Sequence, residues 1–366
     1  MTAGVRAGGA PNAGPLVIGW DVGGAHVKAC LLQAGRVLDV AQWACPLWQG
    51  MDRLDHALDQ AHRRWPSAVS ATSTKNAVTM TGEMVDLFAN RRTGVLCIAE
   101  RLLRRLAAPA VFFAGREGWC FGADVATRWE HIASANWLAT ARHAAQRLGD
   151  GVLVDIGSTT TDLIAFTGGQ VRGTRHSDAQ RLASGELVYH GVVRTPLCAV
   201  ARRIRWRAAE HNVMNEFFAT SADVYRLTQE LNPAHDLHPS ADNGGKDVQA
   251  TQQRLARMVG LDSQDGSEGD WLEFAQAWRK EQLAELAGQL ERVLALAGVP
   301  PNAPLVSAGC GDFLVRPLAA AVGRSCLAYA TQVARIAPSA PPGAVAWAQV
   351  CAPSVAVAAL FDEEHS

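Results

Sequence analysis

Two carboxylates, four hydroxyls and a glycine fall within one short run, Asp155-Ile-Gly157-Ser158-Thr159-Thr160-Thr161-Asp162. Each type suits phosphate. Gly157 lets backbone N–H groups approach an anion, Ser158 to Thr161 offer hydroxyls, and Asp155 and Asp162 hold Mg²⁺ directly or through its waters. A polar hairpin tip favours the same residue types, so context has to decide. A second run, Asp21-Val-Gly23-Gly24-Ala25-His26-Val-Lys28, repeats the Asp-x-Gly spacing and adds a cation. Lys28 either points at the bound anion or sits at the solvent end of its strand, because alternation fixes only its face. A third glycine turn, Ser307-Ala-Gly309-Cys-Gly311-Asp312, precedes a helical pattern, where free N–H groups would bind phosphate or let a base lie on the backbone.

These residues need rigid strands behind them. Val152–Val154 runs into Asp155 and an apolar run leaves Asp162 towards Phe166, which reads as strand, tight turn, strand. Leu16–Trp20 and Val27–Leu32 frame Asp21 in the same way, with Gly35 and Arg36 marking the next hairpin before Val37–Trp43. One such unit is weak. Two, each opening a half of the chain, imply duplicated lobes whose turns face one another across a cleft. Helices are expected over Met51–Trp65, Ala99–Ala107, Val125–Leu148 and Trp271–Ala297, the last ended by Gly298 and Pro300. Strands are expected around Asn76–Met80, over Ala110–Gly115 and from Gln170 to Thr174.

The domain reading is a disordered lead-in over 1–14, a first lobe over 15–150, a second over 151–345 with an insertion at about 184–270, and a C-terminal helix over 346–361. The chain has 366 residues, 48% hydrophobic and 19% charged, which suits an ordinary bilobed globular protein. A formal net charge of -1 gives no electrostatic reason to expect nucleic acid or an anionic membrane. The eight cysteines are scattered without a C-x-x-C pair, so they read as reduced thiols of a cytoplasmic protein. No run of eighteen apolar residues occurs, although Ala344–Phe361 comes nearest.

The paired hairpins and the glycine turn resemble the superfamily of actin, sugar kinases and heat-shock chaperone ATPases. That resemblance implies an α/β protein of two ribonuclease H-like lobes around a central cleft, with an insertion in the second lobe and Gly309 and Gly311 in the place of the adenosine motif. Several stretches are similar to a narrower family, the hydantoinase/oxoprolinase-related proteins linked to tetrahydromethanopterin-dependent one-carbon transfer. They are Ile18–Lys28, Met80–Glu83, Ser134–Ala139, Asp155–Asp162, Arg194–Pro196, Met214–Arg226 and Arg254–Met258. Its archaeal members include an enzyme of methanofuran biosynthesis that joins a furanmethyl diphosphate to the phenol of a tyramine derivative. Bacterial members accompany methylofuran-dependent formaldehyde oxidation.

The resemblance implies a transferase. A phenol oxygen of tyramine, tyrosine or glutamyl-tyramine would attack the CH₂ of an aminomethylfuran-methyl diphosphate, and pyrophosphate would leave. Asp21, Lys28 and Asp155 would be catalytic, with Asp21, Asp155 and Asp162 holding Mg²⁺ or another divalent cation. Gly23, Gly24, Gly157, Ser158, Thr159, Thr160, Gly309 and Gly311 would bind phosphate oxygens. His26, Glu83, Asn136, Trp137 and Glu216 are candidates for substrate contact, and His26, Glu83, His190 and Glu216 for removing the phenol proton. Trp137, Trp206 and Tyr225 are either stacking partners for the rings or core. Kinases and chaperone ATPases place Thr or Ser soon after the first glycine, where this chain has Ala25 and His26, which favours a ligand other than ATP. The competing reading is an ATP-dependent kinase or ring-opening amidohydrolase using the same cradle. A third is a nucleotide switch without catalysis.

Overall fold

The computed structural model describes residues 14–173 and 177–365. All but Gly14 of the expected lead-in, and Thr174 of the strand expected from Gln170, lie outside them. The chain divides into two compact units. Unit 1 is built from residues up to Ala139, Ala334–Ala344 and the segment from Pro353, and unit 2 from Thr140–Val333 and Val345–Ala352.

In unit 1, β1 (Leu16–Val22), β2 (His26–Gln33) and β3 (Arg36–Ala44) form an antiparallel meander. Ala34 and Gly35 both take left-handed φ, 49° and 70°, the two-residue turn whose twist matches the flanking strands. β4 (Lys75–Met80) lies parallel to β1, β5 (Ala110–Phe113) parallel to β4, and β6 (Trp119–Phe121) antiparallel at the edge. The sheet order is β3-β2-β1-β4-β5-β6. Helices α1 (Asp52–Arg64), α2 (Pro66–Ser70), α3 (Arg91–Arg105) and α4 (Val125–Ile132) complete the main run of this unit, and α5 (Asn136–Leu148) crosses into the next.

Unit 2 repeats the plan. β7 (Gly151–Ile156), β8 (Thr161–Thr167) and β9 (Gln170–Val171) are antiparallel, β13 (Leu305–Ala308) runs parallel to β7, and β14 (Cys326–Ala328) parallel to β13. A short β10 (Leu187–Val188) also pairs with β8. The topology of the first five strands is thus present twice, which is the ribonuclease H-like core the resemblance implies. Between β8 and β13 lie α6 (Asp178–Ser184), the hairpin β11 (Arg203–Trp206) with β12 (Ala209–Asn212), α7 (Ser221–Leu227), α8 (Val248–Arg257) and α9 (Glu268–Ala297). Helices α10 (Val315–Ala321) and α11 (Tyr329–Gln332) follow the later strands.

Three expectations change. The helix expected over Val125–Leu148 is two helices, because Ser134 adopts φ 50° and breaks the ladder between α4 and α5. Helix α3 starts at Arg91 instead of Ala99, capped by Asn90 Oδ1, which accepts from Thr93 N–H at 2.9 Å. The C-terminal apolar run forms α12 (Ala344–Val350) and α13 (Ala352–His365) instead of one helix, with Pro353 opening the second. Among the described residues no single helix is long and apolar enough to cross a membrane.

Candidate functional site

The two Asp-x-Gly hairpins are built to the same register. In unit 1, Gly23 N–H donates to the His26 carbonyl at 2.9 Å, which leaves Gly24 and Ala25 as the tip. In unit 2, Gly157 N–H donates to the Thr160 carbonyl at 2.8 Å, and Ser158 and Thr159 form the tip. Asp21 stands opposite Lys28 across β1 and β2, and Asp155 opposite Asp162 across β7 and β8. Opposite residues of an antiparallel ladder project to one face, so each hairpin presents its Asp beside the residue seven positions on. The first presents a carboxylate with a cation: Lys28 Nζ lies 4.0 Å from Asp21 Oδ2, and Asp21 is buried. The second presents two carboxylates.

A separate cation balances the second pair. Arg181, on α6 and 2% exposed, donates to Asp162 and also lies 3.6 Å from Asp178. Asp162 is thereby engaged in an ion pair. Asp155 is walled in by the third glycine turn. A Cβ on Gly309 would sit 2.2 Å from the Ile156 carbonyl and 2.5 Å from Asp155 Oδ1, and the residue has φ 85°. The N–H groups expected here as phosphate donors serve the protein instead. Gly309 donates to the Gln349 carbonyl and Gly311 to the Ile156 carbonyl, both at 2.8 Å. The glycines therefore bring this turn against β7. Next to them, burial raises the pKa of Asp312, against hydrogen bonds from Gln349 and the Phe313 N–H.

A loop with no motif spacing of its own closes over the second hairpin. Val192 N–H donates to the Gly157 carbonyl at 3.1 Å, and Val193 and Arg194 N–H both donate to the Ser158 carbonyl, at 3.1 and 2.8 Å. Gly191 makes this possible, since a Cβ there would sit 2.4 Å from backbone atoms of Ser158 and Thr159. Gln282 of α9 donates to the Gly191 carbonyl at 3.0 Å, and Thr195 Oγ1 accepts from Gly191 N–H at 2.8 Å. Arg194 Nη1 reaches Thr159 Oγ1 at 3.4 Å. His190, which opens the loop, is buried, and that burial lowers its pKa against the pull of Glu285 and a hydrogen bond with the Ala199 backbone.

Beside the first hairpin, Thr81 N–H donates to the Val22 carbonyl at 3.0 Å, placing Thr81-Gly82-Glu83 next to the turn. Glu83 is 1% exposed, accepts from Ser134 Oγ at 2.7 Å and lies 3.6 Å from Arg91. Arg91 also donates to Ser134 Oγ at 3.2 Å. Enclosed in this way, Glu83 anchors the α4–α5 turn through Ser134 and Arg91. Ser134 holds its left-handed backbone between these two partners. Asn136 caps the start of α5, its Oδ1 accepting from Trp137 N–H at 2.7 Å, and Trp137 is buried. His26 is buried at the closing pair of the hairpin.

The remaining candidates separate into core and surface. Trp206 packs on Trp271, ring centroids 4.3 Å apart, and Tyr225 is fully buried with its hydroxyl donating to Gln282 Oε1 at 2.8 Å. Both belong to the core of unit 2. Glu216 lies exposed on the loop between β12 and α7. Around that loop a charged lattice ties the irregular segments down. Asp223 accepts from Arg226 and Arg254, Asp236 pairs with Arg226 and Lys246, and Asp242 with Arg254. Inside it, His238 is buried, and its pKa falls to about 4 through burial and the neighbouring Arg194 and Lys246, with Asp236 opposing.

A repeated ribonuclease H-like sheet carrying matched Asp-x-Gly hairpins defines the fold shared by actin-like ATPases and sugar kinases. The chain belongs to the hydantoinase/oxoprolinase family, whose model matches residues 75–349. A relative from Methanocaldococcus jannaschii, named (4-{4-[2-(gamma-L-glutamylamino)ethyl]phenoxymethyl}furan-2-yl)methanamine synthase, is 27% identical over 261 residues, covering 71% of this chain and 76% of the relative. One of the same name from Methanococcus vannielii is 30% identical over 108 residues, 30% of this chain and 48% of that relative. Among solved structures, nucleotide-free acetone carboxylase aligns with 95% of this chain and 70% of its own at a TM-score of 0.53 and 11% identity, which shows the fold alone.

Proposed function

We propose that this protein is an alkyl transferase that joins a furanmethyl group to a phenol oxygen and releases pyrophosphate, as a step in making a methanofuran- or methylofuran-type cofactor. The support is twofold: a hydroxyl-rich hairpin backed by a carboxylate, and relatives named for synthesis of an aryl furanmethyl ether. The substrates would be an aminomethylfuran-methyl diphosphate and tyramine, tyrosine or a glutamyl-tyramine. The bond formed is phenol oxygen to furan CH₂. The bond broken is that CH₂ to the diphosphate oxygen, the bonding pair leaves with pyrophosphate, and the phenol proton goes to water.

Because the furan oxygen delocalises positive charge at the CH₂, the protein has two main tasks, to stabilise the departing diphosphate and to align the phenol. Ser158, Thr159 and Thr160 would donate to its oxygens, and Lys28 is the ammonium that the hairpin of unit 1 offers to phosphate. No strong base is needed, since the phenol proton becomes acidic as the C–O bond forms. The donor set fits a hard cation. By type, Asp21 in unit 1 and Asp155 in unit 2 are each carboxylates that suit Mg²⁺, which takes one or two carboxylates plus phosphate oxygens and waters in preference to an all-protein cage. When bound, it would neutralise charge on the leaving diphosphate. All eight cysteines are free thiols, which supports placing this chemistry in the cytoplasm.

The deciding measurement is pyrophosphate release with Mg²⁺, the furanmethyl diphosphate and glutamyl-tyramine, run beside ATP with the unphosphorylated furan alcohol. Release that requires both diphosphate and phenol, with an ether of the right mass, is the expected result. Turnover only with ATP would overturn the proposal and leave a kinase or amidohydrolase.

A further inference from the structure

A leaving diphosphate brings more negative charge than hydroxyls can match, so the hairpin of unit 2 needs a cation at its tip. Arg181 does not supply it, being engaged by Asp162 and Asp178 from within the fold. The guanidinium that reaches the tip is Arg194, with Nη1 3.4 Å from Thr159 Oγ1. Its approach is fixed by backbone. Val192, Val193 and Arg194 donate their N–H groups to the carbonyls of Gly157 and Ser158, and Gly191 presses on the Ser158–Thr159 peptide. This clamp has an electrostatic effect as well as a steric one. The carbonyl oxygens of Gly157 and Ser158, which would repel an anion, are turned into hydrogen bonds with the loop, while the hydroxyls of Ser158 and Thr159 and the guanidinium share the tip.

We propose that Arg194 is a further cation for the diphosphate, the one held at the tip of the unit 2 hairpin, binding its oxygens beside Thr159, with the Gly191–Thr195 loop as the clamp that pre-sets it. The assignment rests on the diphosphate-transfer reading above. Arginine suits the role because its planar fork spans two oxygens of one phosphate, which lysine cannot do. Burial lowers the pKa of this guanidinium from its far-basic ordinary value, which still leaves it charged.

The test is the affinity of the full-length protein for inorganic pyrophosphate with Mg²⁺, by calorimetry, for the wild type, R194Q and R194K. R194Q should weaken binding about tenfold to a hundredfold, the range for losing charge-assisted hydrogen bonds, with R194K between the two. In the ether-forming assay the KM for the diphosphate should rise while that for the phenol stays unchanged. R194K keeps the charge and the aliphatic stem, so it reads the same contact if R194Q does not fold. Wild-type pyrophosphate affinity in either variant would overturn the assignment. If the wild type forms no ether but R194Q still loses pyrophosphate, the transferase reading falls and the anion-binding role of Arg194 stands.

Discussion

At position 162 the second hairpin carries a carboxylate where the first carries the ammonium of Lys28, and this exchange changes what each turn requires of its surroundings. The first is balanced internally, Asp21 against Lys28. The second pairs Asp162 with Arg181 of α6, and further along the chain Arg194 and Lys246 lie near His238. Those later cations have a measurable consequence at His238. Burial, Arg194 and Lys246 together lower its pKa from 6.5 to about 4, with Asp236 pulling the other way. A histidine whose folded pKa is depressed binds its proton more readily when unfolded, so its stabilisation is complete above pH 6.5 and is lost as the pH falls towards 4. The shift is worth roughly 3 kcal/mol at most. H238Q should therefore flatten the decline in unfolding free energy between pH 7 and pH 4.5, measured by urea titration. An unchanged slope would mean that folding does not depress the pKa of His238.

On the scale of elements, each unit carries one Asp-x-Gly hairpin, buttressed by backbone-to-backbone contact within its own unit. The hairpins were legible in the sequence because each lies in one continuous run, with strand, glycine and carboxylate in fixed order. The clamps were not. His190-Gly191-Val-Val-Arg194 has no motif spacing, and only the fold shows that Gly191 meets the Ser158–Thr159 peptide. Gly309 and Gly311 were visible as a glycine turn, yet their N–H groups point to Gln349 and Ile156 and not to a ligand, which local pattern cannot reveal. The Ser134 break was hidden for a similar reason, since its partners Glu83 and Arg91 are distant in sequence. This leads to a contrast between two glycines with nearly equal strain. Gly309 (φ 85°) has Ile156 and Asp155 within 2.5 Å of its missing Cβ, whereas Gly298 (φ 61°), closing α9, has nothing within 4 Å. G298A should cost about 1 kcal/mol and leave turnover intact. G309A should cost about 1–3 kcal/mol more and lower kcat about a hundredfold by moving Asp155. Thermal melts and steady-state rates distinguish the two, and equal rates would show that Asp155 is not in the reacting set.

Across the whole molecule, the duplication that was readable from two short runs extends to the first five strands of each sheet, but the boundaries of unit 1 could not be read locally because that unit is discontinuous. It collects Ala334–Ala344 and the segment from Pro353 after the chain has built nearly all of unit 2. The first of these segments adds to the edge of β3, with Val37 N–H donating to the Arg335 carbonyl at 2.8 Å and Ala337 N–H to the Val37 carbonyl at 2.9 Å. The second, α13, lies so close to β1 that a Cβ on Gly19 would come within 2.1 Å of the Ser354 carbonyl. Its side chains are packed as closely as its backbone: Val355, Val357, Leu360 and Phe361 are all buried. At about 1.5–3 kcal/mol each, their burial amounts to roughly 6–12 kcal/mol as an upper bound, comparable with the roughly 5–15 kcal/mol that holds a domain together. A chain ending at Cys351 should therefore lose the cooperative unfolding of unit 1 instead of merely fraying, seen as a missing transition in calorimetry. L360A in the full chain, lowering stability by about 2–5 kcal/mol, gives a graded version of the same measurement. Were the truncated chain to melt like the full one, the last helix would be packing without supporting the sheet that carries Asp21 and Lys28, and unit 1 would have to be stable on its first 139 residues and the β3 edge segment alone.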